Sequence, residues 1–400
     1  MEKMEGMKVL NEKSEPRDTY RIAYVIHFFL GAGNLLPWNA FITAIDYFSY
    51  HYPGKNVEKI FSIAYMGSSV LVLVLMTSWG SCRRKITFRL RMNIGISMFV
   101  LSLMVSPMID WAWCSHPMQG RPTGTYTAIV ASVLMCGLAD GLIGGSLIGT
   151  AGTLPKEYMQ GVFAGTASSG ILVCILRIIT KASLPQNPRG LQTSAHFYFI
   201  VSTIILLGCM VCGNLLFLLP VMQQHYKFLE DDLPSSRPKF WNTMKKISWP
   251  VFGIFLTYII TLSIFPGYIA DDQQSKLLQD WYPIMLITVY NVSDLVGKTL
   301  TGLYIPSNLR KATWACPARL LFYPLFTACL HGPKWLKTEI PISLLTFMLG
   351  ISNGYITSVL MILTPKSVPI LEAETAAVVM AVFLGLGLVG GSGLGWLWII

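Results

Sequence analysis

The stretch "YNVSDLVGK", residues 290–298, sets Asn291, Asp294 and Lys298 at spacings of three and four, which places all three on one face of a helix. An amide gives and accepts hydrogen bonds at once, a carboxylate accepts, and an ammonium only donates. In line, the three suit a polar neutral ligand that carries hydroxyls and ring nitrogens. The plainer alternative is an Asp–Lys ion pair that only locks the helix. A second stretch, "GAGNLLPWNAFITAIDYF" at 31–48, inserts Asn34, Pro37, Trp38 and Asn39 into an apolar run. Pro37 removes a backbone hydrogen bond, so a loosened, bent helix is expected from Leu36 to Trp38. Trp38 then offers a flat face on which a ring can stack, worth about 1–3 kcal/mol. Its other reading is an anchor at a membrane surface, where Trp is enriched.

Three more polar side chains stand in apolar surroundings: Asp140 in "CGLADGLIGGSLIGTAG" (136–152), and Arg177 and Lys181 in "ILRIITKASLP" (175–185). A charge at the centre of a membrane helix costs about 2.5–3.5 kcal/mol on insertion scales, so such groups face a bundle interior or a watery cavity. Arg177 is expected to pair with Asp140 or Asp294. Lys181, nearer its span's end, is expected to snorkel. Asp140 either answers Arg177 or titrates as a proton site. Gly137, Gly141, Gly145 and Gly149 recur every four residues, a pattern for close helix packing; no GxxxxGK[ST] follows, so a phosphate cradle is not expected. There is no HExxH and no GxSxG, and no Cys/His cluster has metal-ligand spacing. The chain is expected not to be an enzyme and to need no cofactor or metal.

The elements that must position these residues follow from composition. The chain is 53% hydrophobic and 12% charged, against roughly 25% charged in soluble proteins. A helix needs about 20 apolar residues to cross a ~30 Å hydrocarbon core. About eleven such spans are read, at 21–46, 59–79, 89–110, 125–151, 160–182, 194–220, 248–270, 281–303, 315–331, 340–362 and 373–398. The expected fold is an all-α polytopic membrane protein. A polar segment at 221–247 divides it, giving a tail at 1–20, a six-helix bundle at 21–220, a linker at 221–247 and a five-helix bundle at 248–400. "NLLPWNAF" in the first span and "SIFPGYIA" in the seventh echo each other, as parallel transporter repeats would.

The net charge of +10 does not point to nucleic acid, because Lys and Arg gather in segments that share one membrane side. These are Lys3, Lys8, Lys13, Arg17, Arg21, "CRRKITFRLR" at 82–91, Lys227, Arg237, Lys239, Lys245, Lys246, Arg310, Lys311 and Arg319. That bias places the N-terminus in the cytoplasm and the C-terminus outside. The charged first twenty residues hold no apolar run, so no cleaved signal peptide is expected.

The 31–48 stretch closely resembles the first-helix signature of the equilibrative nucleoside transporter family. "YNVSDLVGK" resembles that family's eighth-helix signature, and "EAETAAVVMAVFLGLGLVGGSGLG" at 372–395 its last helix. "ADG" at 139–141 and the Arg177/Lys181 arrangement are more like plant-type members. The resemblance implies a six-plus-five, facilitator-like fold working by alternating access on nucleosides, either by facilitated diffusion or with H+. It implies that Trp38 contacts the base, that Asn291 and Asp294 line the site beside Lys298, and that Thr166 falls where human-type members use a glutamine. Glu372 and Glu374 would stand at a cytoplasmic gate. Lys298 replaces the usual arginine, and Gly144 stands where many relatives carry a polar side chain; both bear on substrate choice. Transport of nucleobases or nucleobase-like hormones, and a transport-dead nucleoside sensor, are the alternatives. The lipid bilayer and the nucleoside are the expected partners, with no obligate protein partner, at the plasma membrane or alternatively the vacuolar membrane.

Overall fold

Apolar spans with no water around them must satisfy every backbone N–H and C=O internally, and the helix does so within one segment. The computed structural model describes residues 18, 21–78, 87–113, 122–223, 240–265, 278–333, 336 and 338–395, and among these the chain is helical with no strand. The helices are α1 (Ile22–Thr43), α2 (Ile45–His51), α3 (Val57–Ser78), α4 (Phe88–Trp113), α5 (Thr123–Thr153), α6 (Lys156–Ser183) and α7 (Pro188–Leu216). Next come α8 (Phe240–Ile264), whose first eight residues fall within the stretch expected at 221–247 to be a linker and are helical instead, α9 (Tyr282–Leu300), α10 (Leu309–Ala318), α11 (Phe322–His331), α12 (Glu339–Lys366) and α13 (Ile370–Gly395). Nine of the described helices are long and apolar enough to cross a membrane.

Local chemistry explains several boundaries. The Asp18 carboxylate accepts from the backbone N–H groups of Ala23 and Tyr24 at 3.1 and 3.2 Å, satisfying orphan donors at the start of α1. Asn187 caps α7 through Gly190 N–H, with Pro188 at the first helical position. Along α7, Ile204, Leu207, Val211 and Leu215 are exposed at helical spacing. An exposed apolar stripe of this kind is what a lipid-facing surface requires.

Inside, α1 lies on α6, α9 on α12, α5 on α3 and α4, and α13 on α8, α3 and α5. The α1–α6 approach is backbone to backbone: a Cβ on Gly165 would run into the Phe28 carbonyl, and one on Gly31 into that of Val162. Gly137 and Gly141 likewise sit against the backbone of α3 at Tyr65 and Ser69, as the four-residue glycine spacing anticipates. Phe41, Phe48, Phe61 and Phe199 form an aromatic core in the first half.

The helix runs on through Pro37 and is interrupted at Ala44. The span read at 315–331 is broken: α10 carries Pro317 and gives way to a single 3-10 turn, Arg319–Leu321, before α11. Arg319, counted above as a loop charge, is buried in that turn. Pro266 of the internal echo, most of the tail at 1–20 and most of the linker at 221–247 lie outside the described residues.

Gly165→Leu should be among the most damaging neutral changes, because the obstacle is backbone that cannot swing aside. Overpacking of this kind costs about 1–3 kcal/mol or more. Fluorescence-detected size exclusion of the tagged protein is expected to show loss of the monodisperse peak, whereas Gly208→Leu, with open space around it, should keep it.

Candidate functional site

On α9 the Asp294 carboxylate and the Lys298 ammonium meet at 2.8 Å, both side chains buried at 9% and 7% exposure. The i,i+4 spacing brings them together, and Gly354 lets α12 close against the α9 backbone at Asp294. From α12, Asn353 Nδ2 donates to Asp294 Oδ1 at 2.8 Å. From α8, the Thr261 hydroxyl lies 2.9 Å from Asn353 Oδ1. The carboxylate is thus held by one cation and one amide, which answers a charge that water cannot reach.

The same face of α9 looks across to α6. Lys298 Nζ reaches Thr166 Oγ1 at 3.5 Å, and Asn291 Nδ2 donates to Cys174 Sγ at 3.2 Å, a weak acceptor. Gly170 keeps room for Asn291: a Cβ there would lie 2.5 Å from Asn291 Oδ1. On its other side, this turn of α6 receives Asn39 of α1, whose Nδ2 donates to Ser169 Oγ at 2.9 Å. The Thr166–Gly170 turn therefore stands between the proline-tryptophan stretch and the Asn291/Asp294/Lys298 face.

Trp38 packs against a neighbouring helix. It is half-buried, and its ring stacks on Tyr65 of α3, with centroids 4.4 Å apart and planes 20° from parallel. One helical turn along each helix, Asn34 Nδ2 and Ser69 Oγ donate to Asp140 Oδ1 and Oδ2 at 3.1 and 2.6 Å. Asn34 Oδ1 is buried and takes no hydrogen bond among the described residues. Gly144, one turn from Asp140, faces the Asn34 amide, where a Cβ would lie 3.3 Å from Nδ2.

Arg177 pairs with neither Asp140 nor Asp294. It forms an ion pair with Asp46 and reaches the Thr43 carbonyl at 3.4 Å, at the far end of the bundle from the start of α1. The side chains are 24% and 49% exposed. Asp46 belongs to the very stretch at 31–48, but the interruption of α1 at Ala44 is what turns it toward α6. Lys181 Nζ donates to the Asp280 carbonyl at 2.6 Å and lies 5.1 Å from the Trp281 ring. This contact joins the two halves at that end.

At the opposite end, Glu372 accepts from Lys246 Nζ at 2.5 Å and Thr243 Oγ1 at 3.1 Å, both on α8 of its own half. Glu374 leans across to α5, with its Cγ 3.3 Å from where a Cβ on Gly149 would sit. Lys366 crosses too, donating to the Leu154 carbonyl. Sequence reading missed Asn353, Thr261, Tyr65, Ser69 and the buried setting of Arg319. Asn353, an amide inside an apolar span, carried the same signal as Asn291. Among the described residues no group of three His, Cys, Asp or Glu side chains could hold a metal.

The chain matches the family described as "Nucleoside transporter" over residues 130–236 and 229–400. It is 60% identical over 393 residues to equilibrative nucleotide transporter 8 of Arabidopsis thaliana, covering 98% of this chain and 99% of that protein. It is 46% identical over 401 residues to equilibrative nucleotide transporter 1 of the same plant, covering 97% and 88%. Among solved structures it resembles the major facilitator superfamily proton:xylose symporter XylE, with a TM-score of 0.65 at 11% identity over 96% of this chain and 89% of that one. The E. coli fucose:proton symporter FucP follows the same path with a TM-score of 0.57 at 12% identity, over 94% and 90%. These likenesses show a major-facilitator-like fold.

Breaking the buried pair from one side leaves an uncompensated charge, which costs about 3–5 kcal/mol. Lys298→Met should therefore lower the melting temperature of the purified protein sharply. Adding Asp294→Asn to it should recover most of that loss. A double variant no more stable than Lys298→Met would show that the pair contributes no mutual compensation.

Proposed function

The chain belongs to the nucleoside transporter family, and from that premise we propose that it carries nucleosides across a membrane by alternating access between two helical halves. The observation that carries this reading is the Lys298 ammonium, already answered by Asp294 at 2.8 Å and facing Thr166 of the other half. A phosphate is best held by cations free to pair with it. A neutralised Asp–Lys pair suits instead a neutral ligand whose hydroxyls donate to the carboxylate and accept from the ammonium. A nucleotide is the second reading, favoured by the names of the Arabidopsis relatives, equilibrative nucleotide transporters.

In this reading the base stacks on the face of Trp38 that Tyr65 leaves uncovered. Thr166 and Asn291 meet its edge or the sugar, while Asp294 and Lys298 take the sugar hydroxyls. The two halves are α1–α7 and α8–α13, joined by the segment between α7 and α8. Counting α9 and the broken α10–α11 pair with the nine long helices makes eleven crossings, six and five. The Lys and Arg bias of the sequence supports a cytoplasmic N-terminus and an outer C-terminus; the plasma membrane, or alternatively the vacuolar membrane, is the proposed residence. Glu374 and Lys366 then stand at the cytoplasmic gate between halves, with Glu372 bracing α13 beside them.

Proton coupling is part of the proposal, and Asp140 supports it. The described residues give it two neutral donors and no ion pair. A membrane-embedded carboxylate without a cation gains from a proton, and coupling follows if protonation favours one of the two states.

Uptake of radiolabelled uridine and adenosine into nucleoside-transport-deficient yeast, with and without a protonophore, tests the whole reading. Uptake is expected, competed by unlabelled adenosine and not by AMP; competition by AMP at equal concentration would favour the nucleotide. Protonophore should collapse uptake by the wild type, and Asp140→Asn should remove that sensitivity. Gradient-indifferent uptake by the wild type would make it a facilitator. Trp38→Ala should raise KM about tenfold, and Trp38→Phe much less, since roughly 1–3 kcal/mol of stacking is at stake. Equal KM values for the two variants would make Trp38 a packing residue.

A further inference from the structure

Arg319 is a buried guanidinium with no carboxylate in ion-pair range among the described residues. It sits in the 3-10 turn between α10 and α11 and spreads its donors over two other helices. Nη1 donates to the Thr257 carbonyl of α8 at 2.9 Å, Nη2 to the Leu349 carbonyl of α12 at 3.1 Å, and Nε to Ser352 Oγ of α12 at 3.2 Å. Its guanidinium carbon lies 5.9 Å from the Phe322 ring centroid. Only a planar fork bridges two helices in this way.

Each carbonyl that Arg319 grips lies four residues before a member of the site. Thr257 precedes Thr261, and Leu349 precedes Asn353, one turn on along each helix. The Thr261 hydroxyl has two acceptors within reach, the Thr257 carbonyl at 2.8 Å and Asn353 Oδ1 at 2.9 Å, and a single proton to give. The Thr257 carbonyl also takes the helical N–H one turn on. With the Nη1 donor of Arg319 on it as well, this carbonyl is shared among three donors, which weakens its hold on the Thr261 proton and favours the contact with Asn353 Oδ1. Asn353 turns Oδ1 toward Thr261 and Nδ2 toward the Asp294 carboxylate, which only accepts.

We propose that Arg319 is a positioning residue for Asp294, holding α8 and α12 so that Thr261 and Asn353 keep an N–H donor on the carboxylate that meets substrate. Without it, the Thr261 proton is drawn to the Thr257 carbonyl of its own helix. The Asn353 amide then loses the contact that steadies its Oδ1 side, and the N–H donor it keeps on Asp294 is held less firmly. The proposal rests on the transport reading above for the role of Asp294, while the clamp itself is a statement about geometry.

The test pairs kinetics with a readout that needs no transport. Arg319→Lys keeps the charge but reaches one acceptor where the fork reaches three. It should raise the KM for uridine about fivefold to tenfold at unchanged surface level, as should Thr261→Val. The double variant should stay within about twofold of either single, because both cut one chain of contacts. Effects that multiply, or a KM at the wild-type value, overturn the proposal. Should Arg319→Lys not reach the membrane, Ser352→Ala removes the Nε acceptor together with the Ser352 Oγ bond to the Leu349 carbonyl, and leaves Nη1 and Nη2 in place. A KM rise of about twofold to threefold that does not add to that of Thr261→Val upholds the proposal, and an unchanged KM overturns it.

Hydrogen–deuterium exchange of the purified protein runs in parallel on wild type and variant. Faster exchange confined to peptides covering 257–261 and 349–353 supports the clamp, and uniform acceleration across the bundle assigns Arg319 to general stability instead. If the wild type carries no nucleoside, base or nucleotide, the transport reading fails, and the exchange pattern alone decides the clamp.

Discussion

A charge placed in hydrocarbon has to be answered from within the protein, because no water is there to do it. The Asp294–Lys298 pair is the point on which this bundle meets that demand. Once the pair exists, α9 can be a membrane helix despite two ionised side chains. The surrounding contacts follow from keeping the pair oriented: Gly354 opens the approach of α12, Asn353 supplies the carboxylate with a donor, and Thr166 receives the ammonium from the opposite half. A hydrophobic isostere would often pack as stably. Retaining the ions therefore fits a chemical use more readily than a stability use.

The two halves answer their charges differently. In the second half, Asp294, Lys298 and Arg319 lie on one connected set of hydrogen bonds through Thr257, Thr261 and Asn353. In the first half, Asp140 is met by the Asn34 amide and the Ser69 hydroxyl, and by no cation in ion-pair range among the described residues. The proposed mechanism uses that difference: the balanced pair handles a neutral substrate, and the unbalanced carboxylate is the place where a proton changes the energy of one state relative to another.

The ends of the bundle close by contacts of a different kind. Lys181 meets a carbonyl and an indole, and Lys366 meets a carbonyl. Single charged hydrogen bonds to backbone are weaker than buried ion pairs and easily exchanged for water near the headgroups. In the proposed alternating-access cycle, where the halves part, such exchangeable bonds serve well. The Arg177–Asp46 pair, by contrast, lies within one half and need not break.

Much was legible in the sequence. Apolar runs of membrane-spanning length dictate helices, the glycine spacing in α5 anticipates its close packing, and the i,i+4 spacing of Asp294 and Lys298 forecasts their contact. Each of these is local: the information sits within a few turns of chain. What the tertiary structure decided is partnership across distance. Arg177 finds Asp46, 131 residues away, and Lys298 finds Thr166, 132 residues away. Neither pairing follows from spacing, since helices far apart in the chain choose their neighbours by packing. Arg319 illustrates the same limit. Near a proline and other basic residues it reads as a loop charge, and only the break between α10 and α11, with α8 and α12 folded around it, makes it a buried clamp.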